Sequence, residues 1–101
     1  MNIEDIKFEH FTEKSPIKLL VGENEFFELE IYAIKKSKFE KYREDAKDPF
    51  SLILCGDKSV NFLEGYYDFE YESIGEVELH MSRIIAPGGV KDLNFYQISF
   101  S

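Results

Sequence analysis

The sequence predicts a mainly β fold: about six antiparallel strands in a meander, forming a small barrel or sandwich. Three observations carry that expectation. Apolar and polar residues alternate with a period of two over long stretches. Ten Phe and six Tyr accompany the β-branched residues that suit a pleated surface, and turn signals recur at short intervals. A chain of 101 residues, 44% hydrophobic, reads as one domain over residues 1–101 that can bury a core without disulfide or metal staples. Of the two closures, a barrel or barrel-like roll is preferred.

The first dozen residues carry Ile3, Ile6, Phe8 and Phe11 among charges, which suits a short N-terminal helix ending before Ser15-Pro16. Ile17 to Val21 forms the first strand, turned at Gly22-Glu23-Asn24. In the second, Phe27, Leu29, Ile31 and Ala33 alternate with Glu28, Glu30 and Tyr32, the pattern of a half-buried strand. Ser37-Lys38-Phe39-Glu40 has the spacing of a capping box, in which the Ser hydroxyl and the Glu carboxylate each satisfy an orphan backbone N–H. Phe39, Tyr42 and Ala46 then share one helical face before Asp48-Pro49. A solvated loop fits the same residues, so 37–47 is read as a short helical or loop insertion.

Phe50 to Cys55 is the third strand, followed by a turn at Gly56-Asp57-Lys58-Ser59. A hairpin comes next. Tyr67, Phe69 and Tyr71 alternate with Asp68, Glu70 and Glu72, while Val77, Leu79 and Met81 alternate with Glu76, Glu78 and His80. A three-residue loop, Ser73-Ile74-Gly75 with Gly75 left-handed, keeps apolar residues opposite apolar ones; a two-residue loop would set Tyr71 against Glu78. The outward face then pairs Glu72 with Glu76, Glu70 with Glu78, and Asp68 with His80. Ala86-Pro87-Gly88-Gly89 turns the chain into a last strand with Tyr96, Ile98 and Phe100. Phe26, Phe62, Tyr66 and Phe95 fall opposite the inward sets. They cover either a second small core beneath the terminal helix or an exposed patch that marks a binding surface.

Twenty acidic and twelve basic side chains give a net charge of −8, which opposes binding to nucleic acid and to an anionic membrane surface. No apolar run approaches a membrane span, and the N-terminus is too charged for a signal peptide, so a cytoplasmic protein is expected, with leaderless export left open. Like charges directly opposite one another destabilise a sheet, so the paired carboxylates of the hairpin call for a basic neighbour, a cation or a basic partner. Residues 35–47 hold six cations (Lys35, Lys36, Lys38, Lys41, Arg43, Lys47) against Glu40, Glu44 and Asp45. Both charged regions are solvated surfaces, or the basic segment lies over the acidic ribbon within the chain, or the two meet across subunits or face another protein. The candidate interaction surface is therefore Lys38, Lys41, Arg43, Asp68, Glu70, Glu72, Glu76 and Glu78.

Catalysis is not expected. Glycosidase chemistry needs two carboxyls across a sugar-sized cleft with one buried, and neighbouring Glu residues on an open ribbon offer neither. No loop has the Asp-x-Asp-x-Asp-Gly pattern of a calcium site. Cys55, His10 and His80 lack the local spacing of zinc ligands, and a lone cysteine near a strand end is most often a small buried hydrophobe. Gly88-Gly89 has no following helix or Lys-Ser/Thr, so it is a turn and not a phosphate loop. No cofactor or metal is expected.

Asp48-Pro49-Phe50-Ser51-Leu52-Ile53-Leu54, Leu63-Glu64-Gly65-Tyr66-Tyr67-Asp68-Phe69-Glu70 and Ile74-Gly75-Glu76-Val77-Glu78-Leu79 together resemble an uncharacterised bacterial domain family of small all-β proteins. That family carries a Pro-Phe-Ser-Leu strand, a Gly-x-Tyr-x-Leu/Phe-Glu strand and a Leu-Gly-Glu/Thr-Leu-Glu-Leu strand. The resemblance covers residues 48–101. It departs at Glu72, where the family often has Pro, and at Cys55-Gly56-Asp57, where it often has Arg-Gly-Pro. These are turn and core residues, so the resemblance implies the fold and transfers no catalytic residue. It also implies an accessory or assembly role, linked to phage-tail-like fibres. The function expected is therefore a non-enzymatic protein-interaction or assembly accessory module, its partner another protein or a second copy of itself. The alternative is a small-ligand-binding β barrel whose cavity is lined by Tyr67, Phe69, Tyr71, Leu79 and Met81.

Overall fold

A computed structural model describes residues 5–36 and 49–100 of the chain. Six antiparallel strands close into a barrel: β1 Pro16–Leu20, β2 Phe26–Lys36, β3 Phe50–Asp57, β4 Gly65–Tyr71, β5 Gly75–Ile84 and β6 Leu93–Phe100. The predicted insertion over 37–47, with Lys38, Lys41 and Arg43, lies outside the described residues.

The strand order around the barrel is β1-β2-β3-β6-β5-β4. A single meander would set β3 beside β4. Here two three-stranded meanders, β1-β2-β3 and β4-β5-β6, are joined through β3–β6 and β1–β4. The composition of β3 and β6 explains the join. Leu52 and Leu54 point into the barrel while Ile53 and Cys55 point out, and β6 likewise buries Tyr96 on one side and Phe95 on the other. The two strands pair along their whole lengths, from Phe50↔Phe100 to Asp57↔Leu93. They are apolar on both faces around Ile53, Cys55 and Phe95, while Ser51, Gln97 and Ser99 make the outer face polar toward the Phe50 end. The pairing gathers the outward apolar surface into one patch, which can be covered at once.

The interior is filled by side chains. Ile17, Leu19, Ile31, Leu52, Leu54, Phe69, Leu79, Met81, Tyr96 and Ile98 are at most 2% exposed and belong to one cluster. One end of the barrel is plugged by the segment before β1. The short N-terminal helix predicted there is, among the described residues, only 3₁₀ backbone, at Asp5 and in a turn at Phe8–His10. The Lys7 N–H donates to His10 Nδ1 at 2.9 Å and Phe11 is already extended, so the turn closes on itself and stops. The extended exit turns Phe11 inward against Phe50, Tyr71 and Phe100, with ring centroids 5.1–6.0 Å away. Ser15 Oγ lies 2.7 Å from the Tyr71 hydroxyl, and Ser73 Oγ donates to the His10 carbonyl, tying the plug to the β4–β5 turn.

The opposite end is closed by the crossover from β3 to β4. Asn94, the buried polar side chain of β6, donates from Nδ2 to the Val60 carbonyl at 2.7 Å and accepts from Arg83 at 2.7 Å. The Tyr96 hydroxyl accepts from the Phe62 N–H at 3.2 Å, and the Phe62 ring meets Phe27, Tyr67 and Tyr96 edge-on. Phe62 thus joins the main core.

The predicted second core exists, with a different cover. Phe95 is fully buried outside the barrel with Ile53 and Cys55, and the Tyr32 ring meets it edge-on at 5.0 Å. Ala86, Val90 and Leu93, from the β5–β6 connection and the start of β6, complete the lid in place of a terminal helix. Gly88 and Gly89 in that connection both take positive φ, which lets it fold back sharply. Phe26 and Tyr66 are not part of this core: they are 49% and 71% exposed.

The β4–β5 hairpin keeps the predicted faces but not the predicted partners. Tyr71 pairs with Gly75, so the three-residue loop is Glu72-Ser73-Ile74 and the register is Glu70↔Glu76, Asp68↔Glu78 and Tyr66↔His80. A period of two is preserved by a shift of two, so alternation alone does not distinguish the registers. Ile74 decides it. At the tip of a Ser73-Ile74-Gly75 loop it would be exposed; here its N–H bonds the Tyr71 carbonyl at 3.1 Å and its side chain, 4% exposed, turns into the core. Gly75 is left-handed at φ 73°, as predicted.

Candidate functional site

The most unusual chemistry lies on the outer surface of β5, β4, β1 and β2. Closure of the barrel sets β1 between β4 and β2, with Lys18 opposite Glu70 on one side and Glu28 on the other. One row across the face therefore reads Glu76, Glu70, Lys18, Glu28. The next reads Glu78, Asp68, Leu20, Phe26, and beyond it His80 faces Tyr66. Neighbouring strands stand only about 4.8 Å apart, so five carboxylates share a small area. All but Glu70 are exposed, and Glu70 is half-buried.

Lys18 is the only basic partner in these rows other than His80. Its ammonium lies 3.9 Å from Glu70 Oε1 and 4.8 Å from the centre of the Phe26 ring. Both side chains of that ion pair are about 45% exposed, which makes it a weak tie. One cation beside Glu76, Glu70 and Glu28 leaves the area strongly acidic. Asp68 and Glu78, with Leu20, Glu76 and Val77, line a shallow cleft of about 250 Å³. Exposed aromatic groups border the acids: Phe26 at one corner, and Tyr66 at another with its ring 5.0 Å from His80.

Of the predicted surface residues, Asp68, Glu70, Glu76 and Glu78 are brought together here. Glu72 is in the turn beside them and opposes no strand residue. Lys38, Lys41 and Arg43 lie outside the described residues. The sequence offers Phe26 and Tyr66 as members of an exposed aromatic patch, as they are, but does not set Phe26, Lys18 and Glu28 beside the acids of β4. Their outward position is visible in the alternation of β1 and β2, but their nearness to β4 depends on which strands meet when the barrel closes.

The remaining candidates are spread out. His10 is engaged in its own 3₁₀ turn, His80 lies against Tyr66, and Cys55 is buried in the second core. Burial pushes the Cys55 thiol up from its ordinary value of 9.0, the Glu30 carboxylate adds to the shift, and Lys14 opposes it. Asp57, at the end of β3, accepts from the Ser59 N–H and hydroxyl, each at 2.8 Å, and these bonds hold its carboxyl below the usual range. Among the described residues no three His, Cys, Asp or Glu side chains cluster as metal ligands, and no helix is long and apolar enough to cross a membrane.

Residues 6–100 match the family described as Domain of unknown function (DUF6916), and the chain belongs to that family. The match runs through both halves of the chain. No curated protein and no solved structure matches it.

Proposed function

We propose that this member of the DUF6916 family is a non-enzymatic protein-interaction module, an accessory in a larger assembly such as a phage-tail-like fibre, and that the acidic face of β5-β4-β1-β2 meets its partner. The observation that carries the reading is the pairing of Glu70 with Glu76 and of Asp68 with Glu78 on one open face. Each like pair costs roughly 0.2–1 kcal/mol relative to a neutral one, a cost that a basic partner would turn into a gain. Exposed Phe26 and Tyr66 at the margins supply the apolar contact that charge alone lacks. Glu28, Asp68, Glu76 and Glu78 are exposed and Glu70 is half-buried beside Lys18, whereas acid–base catalysis needs a carboxyl whose proton affinity is raised by burial.

The alternative is a small-ligand barrel lined by Tyr67, Phe69, Tyr71, Leu79 and Met81; the packing of Phe69, Leu79 and Met81, each at most 2% exposed within one cluster, favours the interaction reading over it.

Affinity capture from a lysate at low and high salt tests the reading, with wild-type bait beside an Asp68→Lys/Glu78→Lys variant. A partner held by wild type at low salt, and lost both at high salt and from the variant, is the expected result. Equal capture by both baits, or nothing beyond the bait, would overturn it.

A further inference from the structure

β5 is paired along different parts of its two edges. Against β4 it is paired from Gly75 to Met81, whereas against β6 the ladder covers Ser82, Arg83 and Ile84 and stops at Ser82↔Gln97. Among the described residues, no strand pairs with the β6-side edge of Gly75 to Met81. An antiparallel strand sends half of its N–H and C=O groups to each edge. A stretch paired on one side only therefore offers a row of donors and acceptors to another strand.

The side chains around that edge restrict what could lie there. Outward, Glu76, Glu78 and His80 are exposed, with Asp68 and Glu70 behind them on β4. Inward, Val77 is half-buried and Leu79 and Met81 are buried. A strand added beside β5 would alternate in the same way, one set of side chains beside the carboxylates and the other toward Val77 and Leu79. A second copy of β5 is a poor occupant, because its own Glu76 and Glu78 would meet these.

We infer that the Gly75 to Met81 edge of β5 accepts, by strand addition, an extended segment of a partner protein in which basic and apolar residues alternate. The inference rests on the interaction-module reading and adds to it a binding mode and a partner chemistry. Main-chain bonds supply affinity in such a mode, while the alternating side chains supply selection. The carboxylates select for Lys or Arg outward, and Val77 and Leu79 for apolar residues inward.

The test is an NMR titration of the full chain with two short synthetic peptides, one alternating Lys and Val and the other Glu and Val, combined with amide hydrogen exchange. The Lys peptide is expected to shift the amides of residues 75–81 and slow their exchange about tenfold, while the Glu peptide does neither. Glu76→Lys/Glu78→Lys, both surface changes, is expected to weaken the Lys peptide about tenfold or more. Unchanged exchange in β5, or equal binding of both peptides, would overturn strand addition. Shifts confined to Lys18, Glu28, Asp68 and Glu70 would overturn it too while leaving the interaction reading in place. That reading fails separately, through the lysate capture.

Discussion

The two outer faces of this barrel are built from the same kind of strand and end in opposite states. Over β3 and β6 the outward apolar residues are Ile53, Cys55 and Phe95, and the β5–β6 connection folds down to bury them. Over β5, β4, β1 and β2 the outward residues are Glu76, Glu78, Asp68, Glu70, Lys18 and Glu28, and the described part of the chain leaves them in water. A covered face is a stability device, because burial of apolar area is what holds a small domain together. An uncovered face with opposed like charges works against stability, and that asymmetry is the physical ground for placing function there.

Removing the centre of the covered face should have the largest effect. Phe95→Ala is expected to cost about 3–5 kcal/mol in urea unfolding, because it empties the second core. Tyr66→Ala, an aromatic truncation on the open face, should stay within about 0.5 kcal/mol. Equal losses at the two sites would erase the distinction between the faces.

Gly75→Ala comes next. The left-handed backbone at the hairpin that carries the acids makes any Cβ costly, and a loss of about 1–2 kcal/mol is expected from equilibrium unfolding. A smaller change of the opposite sign sharpens the comparison. Glu78→Lys sets a cation opposite Asp68 and should stabilise the chain by roughly 0.2–1 kcal/mol at low salt, with the gain fading as salt is added. Destabilisation by this variant would mean that the opposed carboxylates are already compensated.

The smallest effect concerns pH and belongs to the covered face. Burial raises the Cys55 pKa above its ordinary 9.0, so the folded chain favours the neutral thiol. The associated stability is intact below the unfolded thiol's pKa and is lost as pH rises from there through the folded value. Urea midpoints measured from neutral to alkaline pH should therefore decline less steeply for Cys55→Ala than for wild type. Identical slopes would mean that the thiol does not contribute.

Much of the fold is legible in the order of the residues. The alternation of β4 and β5 assigns inward and outward residues, Gly75 marks the left-handed position of the hairpin, and Cys55 reads as a buried hydrophobe. In β2 the alternation holds only to Ile31, because a bulge at Tyr32 turns Ala33 outward into the second core and Ile34 inward. The departures share a cause. The hairpin register turns on where Ile74 can be buried, the first helix gives way to an extended Phe11 that fills the barrel end, and the second core takes its lid from the β5–β6 connection. Each is settled by a contact between side chains that a local period does not bring together.

The candidate site divides along the same line. The residue pattern is enough to set about six strands, the face on which nearly every side chain of β4 and β5 lies, and a net acidic composition. Local sterics and a period of two suffice for that. That β3 lies against β6 and β1 against β4, and hence that Lys18 and Glu28 stand beside Glu70, is a property of the closed barrel. Closing it from two three-stranded meanders is a choice among pairings with the same local pattern, made by which apolar faces can be buried together.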